Sequence, residues 1–411
     1  MRTWPYYSEN EIAVADEVLR SGKVNYWTGE QGRKFEQEYA NFCHVKYAVA
    51  VANGTVALEL ALRAIGIGPG DEVIVPSRTF IASASSVVSV GARPIFADVE
   101  KNSQNLSVRT IQKALTSRTK AIIAVHLSGL PCEMDPIIEL ASKHNLKIIE
   151  DCAQAHGAAY KGRPIGSLGD VAAFSFCQDK IVSTIGEGGM LVTNDHEIWS
   201  KAWSYKDHGK SYDAVYKQTH ASGFRWLHHS FGTNWRMTEI QAAIGRLQLC
   251  KLPKWHEIRN RNAAYLSNRL KDVSAIRLIE SPDYMDHAYY KYDVFVRPEQ
   301  LKRSWNRDRI MASINARGVP CFTGSCSEIY LEKAFEFDGM RPAERLPNAK
   351  ELGETGLTFW VHPLLNETDM EEISSAVVRV MQEATTQSKS MIVFDKNSRT
   401  EFVRNLYHSH T

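Results

Sequence analysis

The chain has 411 residues, 44% hydrophobic and 23% charged, the make-up of an ordinary globular protein long enough for two domains. Its 49 basic and 47 acidic residues leave a formal net charge of +2, which argues against a nucleic-acid binder or a membrane-surface protein. No apolar run reaches about 18 residues, residues 1–10 lack the apolar core of a secretion signal, and seven scattered cysteines make no disulfide framework, so a reducing cytoplasm is the expected setting.

From about residue 45, short apolar strands alternate with helical segments, the pattern of a doubly wound α/β domain. A buried strand is predicted over 47–52, followed by Asn53-Gly54-Thr55 and an Ala/Leu-rich helix that stops at Gly66. A second strand over 72–75 ends at Pro76, and a helix runs from about Phe80 to Val90, with Gly91 as its stop signal. Further strands are expected at 94–97, 121–125, 147–150, 171–176 and 189–192, with a crossover helix over 136–144 that suits parallel pairing. Beyond residue 236 come long helices, 237–249 and 252–270, then a less regular α+β stretch that includes 289–296 and 310–317. The expected organisation is a large domain over 20–250 and a smaller C-terminal domain over 251–383. Residues 1–19 are expected to pack near the smaller domain, and 384–411 to form a loose tail.

Three segments place reactive residue types where strands end, and doubly wound sheets bind ligands at the carboxyl ends of their strands. Asn53-Gly54-Thr55 joins a strand to a helix, where free N–H groups and the helix dipole favour an anion; the same tripeptide is also an ordinary helix cap. Asp151 closes the apolar run Ile148-Ile149-Glu150-Asp151. A carboxylate there can keep a pyridinium nitrogen protonated, or it can be a solvated loop acid. Lys180 ends Phe174-Ser175-Phe176-Cys177-Gln178-Asp179-Lys180 and precedes Gly186-Glu187-Gly188-Gly189. Most lysines lie on the surface, but beside a desolvating cofactor the pKa falls and the free amine attacks aldehydes. The glycines are equally compatible with a plain tight turn. Gly66-Ile67-Gly68-Pro69-Gly70 imitates a dinucleotide loop, yet it follows a helix and has Asp71 where the last glycine is needed, so it reads as a helix stop. Cys321 and Cys326 have no second pair at ligand spacing, and no metal is expected.

Taken in order, a helix-start phosphate site, Phe80, a strand-end Asp151, Ser-x-x-x-x-Lys and a glycine turn resemble a known family. The chain is similar to the sugar aminotransferases of the DegT/DnrJ/EryC1/StrS family, within the aspartate-aminotransferase fold type of pyridoxal 5'-phosphate (PLP) enzymes, over roughly residues 10–382. The likeness is strongest in Asp151-Cys152-Ala153-Gln154-Ala155-His156-Gly157, in residues 174–189 and in Asn234-Trp235-Arg236-Met237. It implies a large domain with a mainly parallel sheet wrapped by helices, plus a smaller α+β domain. Lys180 is implied as the Schiff-base lysine and proton shuttle, Asp151 as the partner of the pyridine nitrogen, and Gln154 as a contact near the phenolic oxygen. Gly54, Thr55 and Ser175 are implied on the phosphate and Phe80 on the ring face, with Asn234 reaching the phosphate of the neighbouring subunit in an obligate homodimer.

The implied reaction moves an amino group from glutamate to a nucleotide-linked keto sugar, most often a 4-keto-6-deoxyhexose, for amino sugars of surface polysaccharide such as O-antigen. Amination at C3 is the alternative. Relatives that dehydrate carry His in place of the lysine, so Lys180 points to transamination. Lys180, Asp151 and Ser175 together weigh against a PLP-binding regulator without turnover. His208 stays outside the catalytic set, because the arginine often found upstream is absent from Ser204-Tyr205-Lys206. The chain departs from the family at residues 320–327, where many relatives carry a His-Tyr…His pattern beside the substrate pocket; this bears on the sugar and leaves the cofactor untouched.

Overall fold

Strands buried on both faces form the centre of the molecule. The computed structural model describes residues 1, 3–336 and 339–385, so of the tail expected over 384–411 all but its first two residues lie outside the described residues. In chain order the elements are α1 (Glu9–Ser21), α2 (Gln31–Phe42), β1 (Tyr47–Val51), α3 (Gly54–Ala64), β2 (Glu72–Pro76), α4 (Ala82–Ser89), β3 (Arg93–Ala97), α5 (Val108–Ala114), β4 (Thr119–Val125), α6 (Met134–Lys143) and β5 (Lys147–Asp151). There follow β6 (Ala159–Tyr160), β7 (Arg163–Pro164), β8 (Val171–Ser175), β9 (Gly189–Thr193), α7 (His196–Tyr205), α8 (Tyr212–Tyr216) and α9 (Glu239–Leu270). The rest comprises β10 (Ile276–Leu278), β11 (Met285–Asp286), β12 (Tyr292–Val296), α10 (Arg307–Asn315), α11 (Pro347–Thr355), β13 (Gly356–Phe359) and α12 (Glu367–Ala384).

Seven strands hydrogen-bond in the order β1-β9-β8-β5-β4-β2-β3. The strands β3, β2, β4, β5 and β8 pair in parallel, whereas β9 runs antiparallel to both β8 and β1. It follows that β1 points the same way as those five, and six carboxyl ends meet the start of β9 at one edge of the sheet. Alternate residues serve two cores. Ala48, Ala50, Ile74, Ile122, Ile148 and Phe174 join Tyr39 of α2, Ile137 of α6 and Ala242 of α9. Val49, Val51, Val73, Val75, Ile123 and Ile149 join Leu58 of α3, Val87 of α4 and Trp203 of α7. Helices on both faces explain why these strands read as continuous apolar runs. The α/β fold with a mainly parallel sheet is thus the one the chain adopts.

The smaller sheet, β10-β12-β13, is antiparallel and shares a third core with Leu266 of α9, Ile310 of α10 and Val377 of α12. A third sheet joins β11, β6 and β7. The two helices expected on either side of position 251 are one, α9, with Pro253 inside it. Proline in a helix interior costs about 3 kcal/mol. Here Leu249 and Leu252 are buried in one core and Ala263, Leu266 and Leu270 in another, and this packing on both sides of Pro253 offsets the loss. Among the described residues no helix is long and apolar enough to cross a membrane.

A buried polar network ties β5 to its surroundings. Glu150 accepts the N–H groups of Gly166, Leu168 and Gly169 at 3.0, 2.8 and 2.7 Å and lies 3.0 Å from His126 Nε2. Cys132 N–H donates to His126 Nδ1, so the ring proton sits on Nε2 and points at Glu150. Burial by itself raises the Glu150 pKa, but these donors outweigh it and hold the carboxyl below its ordinary range. A depressed folded-state pKa stabilises the fold above the unfolded value and is lost as pH falls through the folded one. Glu150→Ala is therefore expected to destabilise the protein by about 3–5 kcal/mol at neutral pH, with the gap between wild type and variant closing below about pH 4. Thermal unfolding across pH checks this; equal stability at pH 7 would refute it.

Candidate active site

The edge where the strands end opens into a cavity of about 780 Å³. The β1–α3 junction contributes Asn53, Gly54 and Thr55, and the loop after β2 contributes Thr79 and Phe80. Ser128 follows β4, Asp151 ends β5 with Gln154 just beyond, Ser175 ends β8, and Asp179, Lys180 and Glu187 lie in the loop before β9. The opposite wall is closed by Asp293 and Thr358 of the smaller sheet and by Tyr290 and Lys291 just before β12, joined by Phe322, Gly324, Ser325 and Cys326.

One end is suited to an anion. Asn53 caps α3, its side-chain oxygen accepting the Val56 N–H at 3.0 Å. Gly54 and Thr55 occupy the first turn, where N–H groups have no partner within the helix. A Cβ on Gly54 would lie 2.5 Å from Ser175 Cβ, and one on Gly189 would lie 2.3 Å from the Asn53 carbonyl oxygen. Glycine at both places is what lets β8, β9 and the start of α3 approach so closely. Behind Ser175, His156 lies 2.9 Å from its carbonyl oxygen through Nε2 and 2.8 Å from the Tyr39 hydroxyl through Nδ1. Burial lowers the His156 pKa to about 3, so the ring is neutral. A carbonyl can only accept, so Nε2–H donates to Ser175 and the Tyr39 hydroxyl donates to Nδ1.

The other end pairs a buried carboxylate with an amine. Asp151 accepts the Ser83 hydroxyl at 2.7 Å and the Ala153 N–H at 3.2 Å. Burial pushes its carboxyl above the ordinary range, against the pull of Ser83, Ala153 and Lys180, so what this group lacks is a close cation. Gln154 accepts the Ser128 N–H at 2.7 Å, and among the described residues its NH₂ donates to no other group. The Lys180 side chain is 15% exposed, with Nζ 3.6 Å from Asp179 and 5.0 Å from the centre of the Tyr290 ring. Tyr290 donates its hydroxyl to Asp179. Burial raises the Asp179 pKa, but Lys180, Tyr290 and Lys291 outweigh it and hold the group below its ordinary range. From the N-terminus, Trp4 Nε1–H donates to the Lys180 carbonyl at 2.7 Å.

Gly54, Thr55, Phe80, Asp151, Gln154, Ser175 and Lys180 therefore line one cavity. Asn234 does not: it is exposed and forms a backbone bridge with Asp207 away from the cavity lining. Sequence reasoning missed Ser83, Asp179, Tyr290 and Trp4 as neighbours of the reactive groups, and it gave His156 no role. His156 stood in a matched segment. Tyr290 and Trp4 reach their partners from 111 and 176 residues away, and no local pattern signals that.

Residues 5–378 match the DegT/DnrJ/EryC1/StrS aminotransferase family. The chain belongs to this family. An X-ray structure of the aminotransferase from Psychrobacter cryohalolentis is 52% identical, with a TM-score of 0.92, covering 93% of this chain and 99% of that one. The dTDP-3-amino-3,4,6-trideoxy-alpha-D-glucose transaminase of Streptomyces venezuelae is 37% identical over 372 residues, 90% of this chain and 91% of the relative. The GDP-perosamine synthase of Caulobacter vibrioides is 38% identical over 364 residues, 86% of this chain and 92% of the relative. The protein is thus a PLP-dependent aminotransferase of a sugar-nucleotide family. Its cavity fits that cofactor on physical grounds. A helix start suits a phosphate, an exposed aromatic face suits a ring, a buried carboxylate in want of a cation suits a pyridinium, and an amine suits an aldehyde.

The close approach at Gly54 is testable. Gly54→Ala pushes Cβ into Ser175 and separates α3 from β8, so PLP affinity is expected to fall at least about 10-fold while circular dichroism stays that of the wild type. A fluorescence titration of the apoprotein with PLP measures this, and unchanged affinity would contradict the reading.

Proposed function

We propose that the protein transfers an amino group from glutamate to a nucleotide-linked keto sugar, acting as a homodimer in the biosynthesis of amino sugars for surface polysaccharide. The observation that carries the reading is that the Lys180 amine and the Asp151 carboxylate line the same cavity as the α3 anion site, with room beyond them for a bulky acceptor. PLP, when bound, supplies an aldehyde that takes up the amine and a ring that accepts electrons. Gly54, Thr55 and Ser175 hold its phosphate, Phe80 covers the ring face, and Gln154 donates from its NH₂ near the phenolic oxygen. Asp151 keeps the ring nitrogen protonated. Lys180 provides the covalent link, and its Nζ then carries a proton between the two carbons whose bonds to nitrogen are exchanged. Asp179 and Tyr290 hold that amine at the wall while donor and acceptor visit one site in turn, which gives ping-pong kinetics.

The homodimer is supported by apolar surface that a single chain leaves open. Phe224, Trp226 and Phe231 are 77%, 80% and 99% exposed, on the segment that leads to the exposed Asn234. Large exposed aromatics of this kind mark contact surfaces. In the dimer, Asn234 reaches the phosphate of the other subunit. For the acceptor we propose a 4-keto-6-deoxyhexose. A 3-keto sugar is the second reading, favoured by the 3-amino sugar named for the Streptomyces venezuelae relative.

Supplying glutamate with 4-keto and 3-keto nucleotide sugars and following 2-oxoglutarate release tests the reaction. Turnover with simple keto acids alone, and with no nucleotide sugar, would reject the acceptor class. Asp151→Asn is expected to lower turnover about 100-fold or more, the scale of losing a positioned acid–base group, with a smaller effect on PLP binding. Turnover within a few-fold of wild type would make Asp151 purely structural.

A further inference from the structure

The cavity wall carries a second amine, Lys291, which the reaction above leaves without a task. It precedes β12, its side chain is 24% exposed, and it lines the cavity beside Lys180 and Asp179. Asp179 stands between the two lysines, 3.6 Å from Lys180 Nζ and 4.0 Å from Lys291 Nζ. The Asp179 oxygen nearer Lys291 already accepts the Tyr290 hydroxyl. Among the described residues the Lys291 ammonium makes no hydrogen bond; besides Asp179 it has the Tyr290 ring, whose centre is 4.9 Å away.

The surroundings add positive charge. Arg259, 1% exposed, donates Nη1–H groups to the carbonyls of Tyr289 and Tyr290 at 3.1 and 3.2 Å, and its Nε has no hydrogen-bond partner among the described residues. His362 is 4% exposed, and among the described residues neither of its ring nitrogens is hydrogen-bonded. Burial, with Arg259 and Lys291 nearby, lowers its pKa to about 3, so it is neutral and offers no counter-charge. The other carboxylate near Lys291, Asp293, is taken up by Thr358, Ser128 and Gln104 and faces Arg78. Lys180 and Lys291 thus share Asp179, and Arg259 adds a third positive charge near Lys291. An ammonium withdrawn from water without a hydrogen bond is costly unless a ligand pairs with it. Burial accordingly lowers the Lys291 pKa, with Lys180 and Arg259 adding to the effect and Asp179 opposing it.

We propose that the Lys291 ammonium receives a carboxylate of the amino donor and so directs the donor toward Lys180. The anion site at α3 and Ser175 is built from other elements of the fold, and the two sites serve different ligands. This inference rests on the aminotransferase reading with a dicarboxylate donor. The test uses glutarate, a donor analogue without an amine, titrated by calorimetry into the PLP-loaded enzyme, so that its readout is independent of turnover. Lys291→Gln is expected to weaken glutarate by about 10- to 100-fold, the scale of a charge-assisted hydrogen bond, and Lys291→Arg to recover most of the loss. Should the variants fold poorly, wild type alone decides: glutaramide is expected to bind at least about 10-fold more weakly than glutarate.

Equal glutarate affinity in wild type and Lys291→Gln, or no glutarate binding by wild type, would overturn the proposal. Loss of nucleotide-sugar affinity with glutarate unchanged would overturn it too and assign Lys291 to the acceptor. If glutamate failed as donor while glutarate binding still depended on Lys291, the donor named above would fall and the carboxylate site would stand.

Discussion

A carboxylate buried at the end of an apolar strand is the constraint around which this site is arranged. Successive residues of a strand point to opposite faces, and β5 ends in two acids that use this alternation. Glu150 turns toward His126 and the loop over 165–169, where four donors saturate it. Asp151, the next residue, turns to the cavity with two donors and a carboxyl raised by burial. The first acid fixes the end of the strand in place. The second is left with a demand for positive charge, which the ring of PLP can meet.

Much of this arrangement was legible in the sequence, because the central strands are buried on both faces and therefore appear as uninterrupted apolar runs. Residues placed just after such runs, among them Gly54, Asp151, Ser175 and Lys180, fall at the site for the simple reason that the strands are co-directional. The reversal of β9 left no trace: it is as apolar and buried as β8 but runs antiparallel to its neighbours. The break expected between residues 249 and 252 does not occur: α9 runs on through Pro253, packed on both sides of it. The groups that hold Lys180 were equally hidden. Trp4 and Tyr290 arrive from far on either side of Lys180 in the chain, and their role exists only in three dimensions.

Within the segment over 320–327, Phe322, Gly324, Ser325 and Cys326 form part of the cavity wall. It is held from beneath. Arg78 donates to the Ser325 carbonyl at 3.1 Å, and the Thr79 N–H donates to the Cys326 carbonyl at 3.1 Å. Phe322 leans on Trp360, with ring centres 5.4 Å apart, and remains 43% exposed toward the cavity. Asp151 and Lys180 thus lie at the large-sheet side of the cavity, and residues 322–326 line the wall opposite them. Lys291, on the opposite wall, lies 4.0 Å from Asp179 of the loop before β9.

The central claim is that Lys180 is the residue bonded to PLP. The direct measurement is reduction of the PLP-loaded protein with sodium borohydride, followed by proteolysis and mass spectrometry of the labelled peptide. The account requires the reduced cofactor on Lys180. Labelling at Lys291, or recovery of the Lys180 peptide unmodified from fully loaded enzyme, would contradict it.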